Sequence, residues 1–258
     1  MRTRRFLSCV AIAAIALVYL GTLRPAAQVA PLEVFASNGV KAALEALAPE
    51  VKRSAGRPIA MRFGTSASIR QAITAGESFD VAILTTEALD ELTKTGKIVA
   101  GSGAALGRSG IGIGVRAGTM KLDLQTGDSL KHILLAVRSL TYAGDGASRP
   151  AITRMLDTFG ITDAMKPRTI LEQGSIRATA RVVQGDADMV ITLISEILPI
   201  SGLELAGPLP FEFQSYVSFA AGVGSGARSA EGARALIAFL SGPDSRPTFA
   251  ARGIEPPR

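Results

Sequence analysis

The sequence predicts an α/β fold built as two lobes that are joined by a two-strand hinge. Three observations predict it. Short apolar strands alternate with amphipathic helices after residue 31, the alternation occurs twice, and one late strand returns after the second set. Apolar residues make up 47% of the 258 residues, which is enough to build a core for a fold of this size.

The first set of elements contains three strands, each followed by a helix. Strands are predicted at 32–35, 58–63 and 79–84, and helices at 40–56, 67–76 and 87–94. Helical connections between successive strands favour a parallel sheet.

The second set begins with a glycine-rich strand over residues 109–118. Helices follow at 129–137, 151–159 and 176–184, strands at 139–142, 168–171 and 188–192, a return strand at 213–222 and a last helix at 231–240. The predicted lobes are therefore 31–108 plus 213–258 for the first, and 109–212 for the second.

Residues 1–30 are predicted to be a signal peptide, with an uncleaved N-terminal anchor as the alternative. Four arginines and no acid lie in residues 1–27, ahead of and around an apolar run from Phe6 to Leu20. Of the formal charge of +6, these arginines carry +4 and the remainder carries +2. This balance predicts export to the periplasm and no nucleic-acid partner.

The composition argues against several kinds of catalytic or metal site. The only cysteine, Cys9, lies inside the apolar run, and the only histidine, His132, lies in a predicted amphipathic helix. No thiolate or histidine metal site, no Ser-His-Asp triad and no cofactor site is therefore expected. The sequence predicts a binding protein; a hydrolase or dehydratase on the same fold is a minor alternative.

Small polar residues lie at four predicted strand-to-helix junctions. They are Ser37-Asn38-Gly39, Thr65-Ser66, Ala147-Ser148 and Gly174-Ser175. Helix N-termini present free N–H groups and the positive end of the dipole, at the sheet edge where α/β proteins bind ligands. We predict that Ser37, Asn38, Gly39, Thr65, Ser66, Ser148 and Ser175 bind a small anion. The alternative is that these residues are ordinary helix caps.

Two stretches, VFASNGVKAALEAL and RFGTSASIRQAITAGESFDVAIL, resemble the first lobe of the periplasmic molybdate-binding proteins. A weaker likeness runs through GDADMVI, SEIL and ALIAFLSGPDSRPTFAARGIEP. The resemblance implies a type II periplasmic-binding-protein-like fold. It also implies that the protein closes on a molybdate-like or tungstate-like oxyanion and delivers it to the permease of an ABC importer.

The resemblance places the family's binding groups on particular residues. One binding serine falls on Ser66 and the other on Gly39, and main-chain donors of the second lobe fall near Ser148 and Ser175. The family's binding tyrosine falls near Leu193, which has no donor in its side chain. We therefore expect a divergent member, in which Tyr142 or Asn38 compensates.

A second group of candidates keeps the ligand open. Arg149 and Arg177 lie beside two junctions and would suit a small organic acid or a phosphate ester, unless both lie on solvated helix faces. Asp145 lies near the same junctions and would repel an anion unless it is paired. A monomer is expected, and a membrane-anchored ligand sensor is a further alternative.

Overall fold

A computed structural model describes residues 29–257. Apart from residues 29–30, the predicted signal peptide or anchor lies outside the described residues. Among residues 29–257, no helix is both long enough and apolar enough to cross a membrane.

Strands and helices alternate along the described chain, as predicted. Their bounds, in chain order, are β1 (Leu32–Ser37), α1 (Asn38–Ala46), α2 (Ala48–Ala55), β2 (Ile59–Gly64), α3 (Ser66–Thr74), β3 (Val81–Thr85), α4 (Thr86–Lys94), β4 (Ala104–Arg116), α5 (Gly127–Ala136), β5 (Leu140–Ala143), α6 (Arg149–Thr158), α7 (Thr162–Met165), β6 (Thr169–Glu172), α8 (Ser175–Gln184), β7 (Met189–Leu193), α9 (Ile194–Ile197), β8 (Leu203–Pro208), β9 (Tyr216–Val223), α10 (Ala230–Ser241) and α11 (Arg246–Ala251).

The strands form a sheet in the order β2-β1-β3-β9-β4-β7-β5-β6, and β8 pairs with β4 on the edge opposite β7. Strand β1 pairs in parallel with β2 and β3, and β5 pairs in parallel with β6 and β7. The parallel arrangement predicted for the first set of strands is therefore confirmed. Strands β4 and β9 run antiparallel to their neighbours and join the two parallel groups.

Strand β4 belongs to both halves of the sheet. Its residues Ala104–Gly110 pair with β9, whereas Ile111–Val115 pair with β7. The chain therefore enters the second half at Gly110–Ile111, and it returns between β8 and β9. The predicted lobe boundaries, after residues 108 and 212, remain predictions; they lie close to these two crossings.

The side chain of Gln214 holds the two crossing segments together. Its Oε1 accepts from Ile111 N at 2.9 Å, and its Nε2 donates to Ile111 O at 3.0 Å. The carboxamide thus satisfies both backbone polar groups of Ile111, as a neighbouring strand would. This contact ties β4 to the return segment at the place where both pass between the halves.

The core lies on both faces of the sheet, which explains the apolar sequence of its central strands. All five residues of β3 are buried, as expected for a strand with neighbours on both sides and helices above and below. Phe219 of β9 and Phe249 of α11 are among the largest buried side chains.

The structure corrects three of the predicted elements and adds one strand. The helix predicted over 40–56 is divided into α1 and α2, because Pro49 has no N–H to bond the carbonyl of residue 45 and its ring crowds that carbonyl. Strand β4 starts at Ala104 because it pairs with β9, and residues 211–213 form a 3-10 turn before β9. Strand β8 was not predicted.

Candidate functional site

The main cleft of the protein lies at the carboxyl ends of parallel strands from both halves of the sheet. Its volume is about 1280 Å³. One side is formed by Gly64, Thr65 and helix α3, and the other by Gly144-Asp145 and residues 171–174. This is the edge at which α/β folds bind ligands, because helix N-termini and loop N–H groups meet there.

Asp145 connects the two sides of the main cleft. Its Oδ2 accepts from the Thr65 hydroxyl at 2.9 Å, and its Oδ1 accepts from Gly174 N at 2.8 Å. Gly174 has a φ of 80°, a left-handed conformation that favours glycine and directs this N–H into the cleft. A carboxylate therefore already accepts hydrogen bonds from donors in both halves of the sheet.

Two of the predicted residues, Asn38 and Thr65, line the main cleft. The Thr65 oxygen also accepts from Ser68 N at 3.1 Å, so this residue caps α3 as well as bonding Asp145. Asn38 lines the main cleft and also a second cavity behind it.

Three predicted residues near the first two junctions are buried and line neither cavity. Ser37 Oγ accepts from Gly39 N and caps α1, and Ser66 Oγ accepts from Thr85 N at 3.0 Å. Gly39 has no room for a side chain, because a Cβ there would lie 2.4 Å from Phe219 Cζ and 3.1 Å from Leu193 Cδ1. The cap interpretation therefore holds for Ser37, and packing against Phe219 explains why position 39 is glycine.

The candidates of the β5–α6 region lie behind the cleft. Ser148 is 2% exposed, and Tyr142 is 8% exposed within the core; burial raises the pKa of Tyr142, and nearby Arg149 opposes this. The Arg149 guanidinium donates to Gly144 O at 2.6 Å, so it supports the loop that carries Asp145. Arg177 is exposed and lines neither cavity.

The second cavity, the small pocket, has a volume of about 170 Å³. Helices α1, α8 and α9 enclose it, and its polar lining residues include Asn38, Lys41, Ser175, Ser195 and Glu196. Of the predicted residues, Asn38 and Ser175 are placed here.

Glu196 is the half-buried acid of the small pocket. It accepts hydrogen bonds from the Ser175 hydroxyl at 2.7 Å and from the Thr192 hydroxyl. Burial raises the pKa of Glu196 above the usual range, the two hydroxyls oppose the shift, and the negative charge of Asp145 adds to it.

Glu196 was not predicted, because the pattern of small polar residues at four junctions does not include an acid. The signal was an acid in the first turn after β7, a fifth strand-to-helix junction. Among residues 29–257, no group of three or more histidine, cysteine, aspartate or glutamate side chains is placed to hold a metal ion.

Comparisons with known proteins match nearly the whole described chain. The family model described as bacterial extracellular solute-binding protein matches residues 32–255. A curated Pseudomonas protein named aconitate isomerase is 28% identical over 257 residues, covering 93% of this chain and 94% of its own.

Solved structures show the same fold. The Azotobacter vinelandii periplasmic molybdate-binding protein has a TM-score of 0.75 at 18% identity, covering 88% of this chain and 100% of its own. The Actinobacillus pleuropneumoniae periplasmic binding protein AfuA, solved with fructose-6-phosphate, has a TM-score of 0.63 at 14% identity, covering 86% and 82%. These structural matches confirm the predicted two-lobed fold, and the family match confirms the predicted relationship to solute-binding proteins.

Proposed function

Since the chain belongs to the bacterial extracellular solute-binding protein family, we propose that it binds a small organic acid in the main cleft. One ligand carboxylate would take the place that the Asp145 carboxylate occupies between Thr65 and Gly174. The observation that carries this proposal is the seated carboxylate itself. A pair of donors from both sides of the cleft fits a carboxylate with bonds of 2.9 and 2.8 Å, which is the normal range for such contacts.

The charges around the cleft support an exchange of one carboxylate for another. Glu91 pairs with Arg70, and Glu172 pairs with Arg181 at 2.6 Å. Asp145 is the one lining acid without a basic partner among residues 29–257. An anion that enters beside a seated Asp145 would be repelled, whereas an anion that replaces it gains the same two donors.

The cleft has room for the carbon skeleton of an organic acid, which a bare oxyanion does not need. A volume of about 1280 Å³ exceeds even the range of about 300–1,000 Å³ typical of sites for drug-sized ligands. Of the three positions to which the resemblance assigned side-chain donors, Gly39 and Leu193 carry none, and the Ser66 oxygen is bonded to Thr85 N.

The transport role follows from the family and from the position of the cleft. We propose that the protein is exported, acts as a monomer and hands its small anionic ligand to an ABC permease. A ligand held by Thr65 on one side and Gly174 on the other stabilises the closed arrangement, because only that arrangement brings both donors together.

The test is calorimetric titration of the Asp145→Ala variant with small dicarboxylates, phosphate esters, sulfate and molybdate. Removal of a competing intramolecular carboxylate should tighten dicarboxylate binding by about tenfold, equivalent to about 1.4 kcal/mol. Asp244→Ala, which removes an exposed carboxylate, is the charge-matched control. Weaker dicarboxylate binding in Asp145→Ala would contradict the exchange, and binding of molybdate alone would restore the oxyanion hypothesis.

A second candidate function is isomerisation of a small unsaturated tricarboxylic acid. The relative named aconitate isomerase motivates it, together with the Asp145 carboxylate at the cleft surface. Asp145 would remove a proton from a methylene carbon beside the carbon–carbon double bond and, after exchange of that proton with solvent, would return a proton to the far end of the allylic system. Such a shift needs a positioned base and no redox partner.

Proton NMR of the protein incubated with cis-aconitate in D2O tests this activity. Formation of the trans isomer with deuterium incorporation, lost in Asp145→Asn while binding persists, would support it. Unchanged substrate over many hours would leave binding as the function.

A further inference from the structure

Two residues that line the small pocket each carry a buried polar atom without a hydrogen-bond partner. The atoms are Asn38 Oδ1 and Ser195 Oγ, and Ser195 is only 2% exposed. Among residues 29–257 only one other buried side-chain polar atom, Arg108 Nε, lacks a partner. A buried group without a partner costs about 1–3 kcal/mol, so two such atoms on residues that line one cavity indicate that something else bonds them there.

The small pocket is large enough for part of a ligand. Water occupies about 30 Å³ per molecule in the liquid, and the pocket volume is about 170 Å³. Asn38 and Ile176 line both this pocket and the main cleft, so a ligand in the cleft lies next to the pocket.

The chemistry of the pocket disfavours a charged group. A carboxylate has no proton for Asn38 Oδ1 and would lie beside the acids Glu45 and Glu196. An ammonium group would lie beside Lys41, and burial favours the neutral form of Glu196 by raising its pKa. A hydroxyl group fits, because it donates to the Asn38 oxygen and exchanges a second hydrogen bond with the Ser195 hydroxyl.

We propose that the small pocket holds a hydroxyl group of the ligand, and that Asn38 and Ser195 thereby select a small hydroxy acid. This inference rests on the proposed function, in which a carboxylate of the same ligand binds at Thr65 and Gly174. The pocket then determines which organic acid is bound, and the cleft donors determine that it is an acid.

The experiment compares three four-carbon diacids that differ at one position. Succinate has hydrogen there, malate a hydroxyl and aspartate an ammonium group. We expect the better malate enantiomer to bind the wild-type protein at least tenfold more tightly than succinate, and neither aspartate enantiomer to bind more tightly than succinate. A site built to bond a hydroxyl discriminates strongly against a ligand that lacks it.

Two variants identify the pocket as the source of the preference. Ser195→Ala should reduce malate affinity to that of succinate while succinate affinity stays unchanged. Thr179→Val is the matched control, because the Thr179 hydroxyl lines the same pocket but already donates to the Ser175 and Ile176 carbonyls at 3.0 Å. Without ligand, Ser195→Ala should unfold at or above the wild-type temperature, since it removes an unsatisfied group.

Each other result overturns the inference. Equal binding of malate and succinate, a preference that survives Ser195→Ala, or tighter binding of aspartate would show that no hydroxyl subsite exists. If none of the three diacids binds the wild-type protein, the proposed function itself fails, and the hydroxyl subsite falls with it.

Discussion

The hydroxyl of Thr65 donates to the carboxylate of Asp145 at 2.9 Å, across a cleft whose sides come from opposite halves of the sheet. The two residues are 80 positions apart in the chain. Thr65 also caps α3, so one side chain both starts a helix and holds the group that bridges the cleft. A ligand anion would therefore meet donors that are already aligned.

Replacing Thr65 should remove both of its roles, and two measurements report on them separately. In Thr65→Val the cap of α3 and the bond to Asp145 are both lost, and we expect a stability loss of about 1 kcal/mol together with weaker carboxylate binding. Thr65→Ser keeps the hydroxyl and is the control for both effects. Urea unfolding measures the first effect and calorimetry the second; unchanged affinity in Thr65→Val would remove Thr65 from the ligand site.

Glu196 should make stability depend on pH. Its folded-state pKa lies above the unfolded value of about 4.3, so the folded state holds the proton longer and stability falls as the pH rises above that value. Glu196→Gln cannot ionise and should be more stable than the wild type at pH 8, with the difference disappearing near pH 4.

Urea unfolding of both proteins across this pH range checks the Glu196 prediction. Glu204→Gln, at an exposed position on β8, should differ from the wild type by no more than about 0.5 kcal/mol throughout. A Glu196→Gln variant that is less stable at pH 8 than at pH 4, relative to the wild type, would contradict the burial argument.

Asp80 should be a structural residue. Its carboxylate is 1% exposed and accepts from Glu33 N at 2.8 Å and Arg228 N at 2.6 Å, tying β1 to the segment before α10. Asp80→Ala leaves the part-buried N–H groups of Glu33 and Arg228 without this partner and should cost about 1–3 kcal/mol. The exposed Asp90→Ala is the control, and ligand affinity of the folded fraction should not change. A change in affinity without loss of stability would instead place Asp80 in a functional role.

A side chain at position 39 should lower the stability of the protein. A Cβ at this position would lie 2.4 Å from Phe219 Cζ, so Gly39→Ala should destabilise the protein by about 1–3 kcal/mol. The double variant with Phe219→Leu should recover part of the loss, because the clashing ring is gone. Gly226→Ala, where no atom lies within 4 Å of the added Cβ, should be near neutral. Thermal unfolding of the four proteins checks this, and a Gly39→Ala variant as stable as the wild type would show that α1 shifts away from β9.

The order of elements could be predicted from the sequence because it depends on local patterns. The apolar run at β3 and the helical spacing of α8 are visible within a few residues, and Thr65 shows its capping role beside α3. The resemblance to a binding-protein family likewise came from contiguous motifs such as RFGTSASIRQAITAG. The predicted starts and ends erred where pairing extends a strand, as at Ala104, where β4 begins against β9.

The sequence by itself determined the α/β alternation, the capped helix starts and the edge of the sheet at which small polar residues gather. The tertiary structure alone decided which of those residues face the cleft. Ser66 and Ser37 bond to backbone N–H groups, whereas Asp145 bonds to both sides of the cleft and Glu196 lines the small pocket. The physical reason is that caps and periodicity follow from neighbours in the chain, while burial, charge pairing and unsatisfied polar atoms arise only when distant segments pack together.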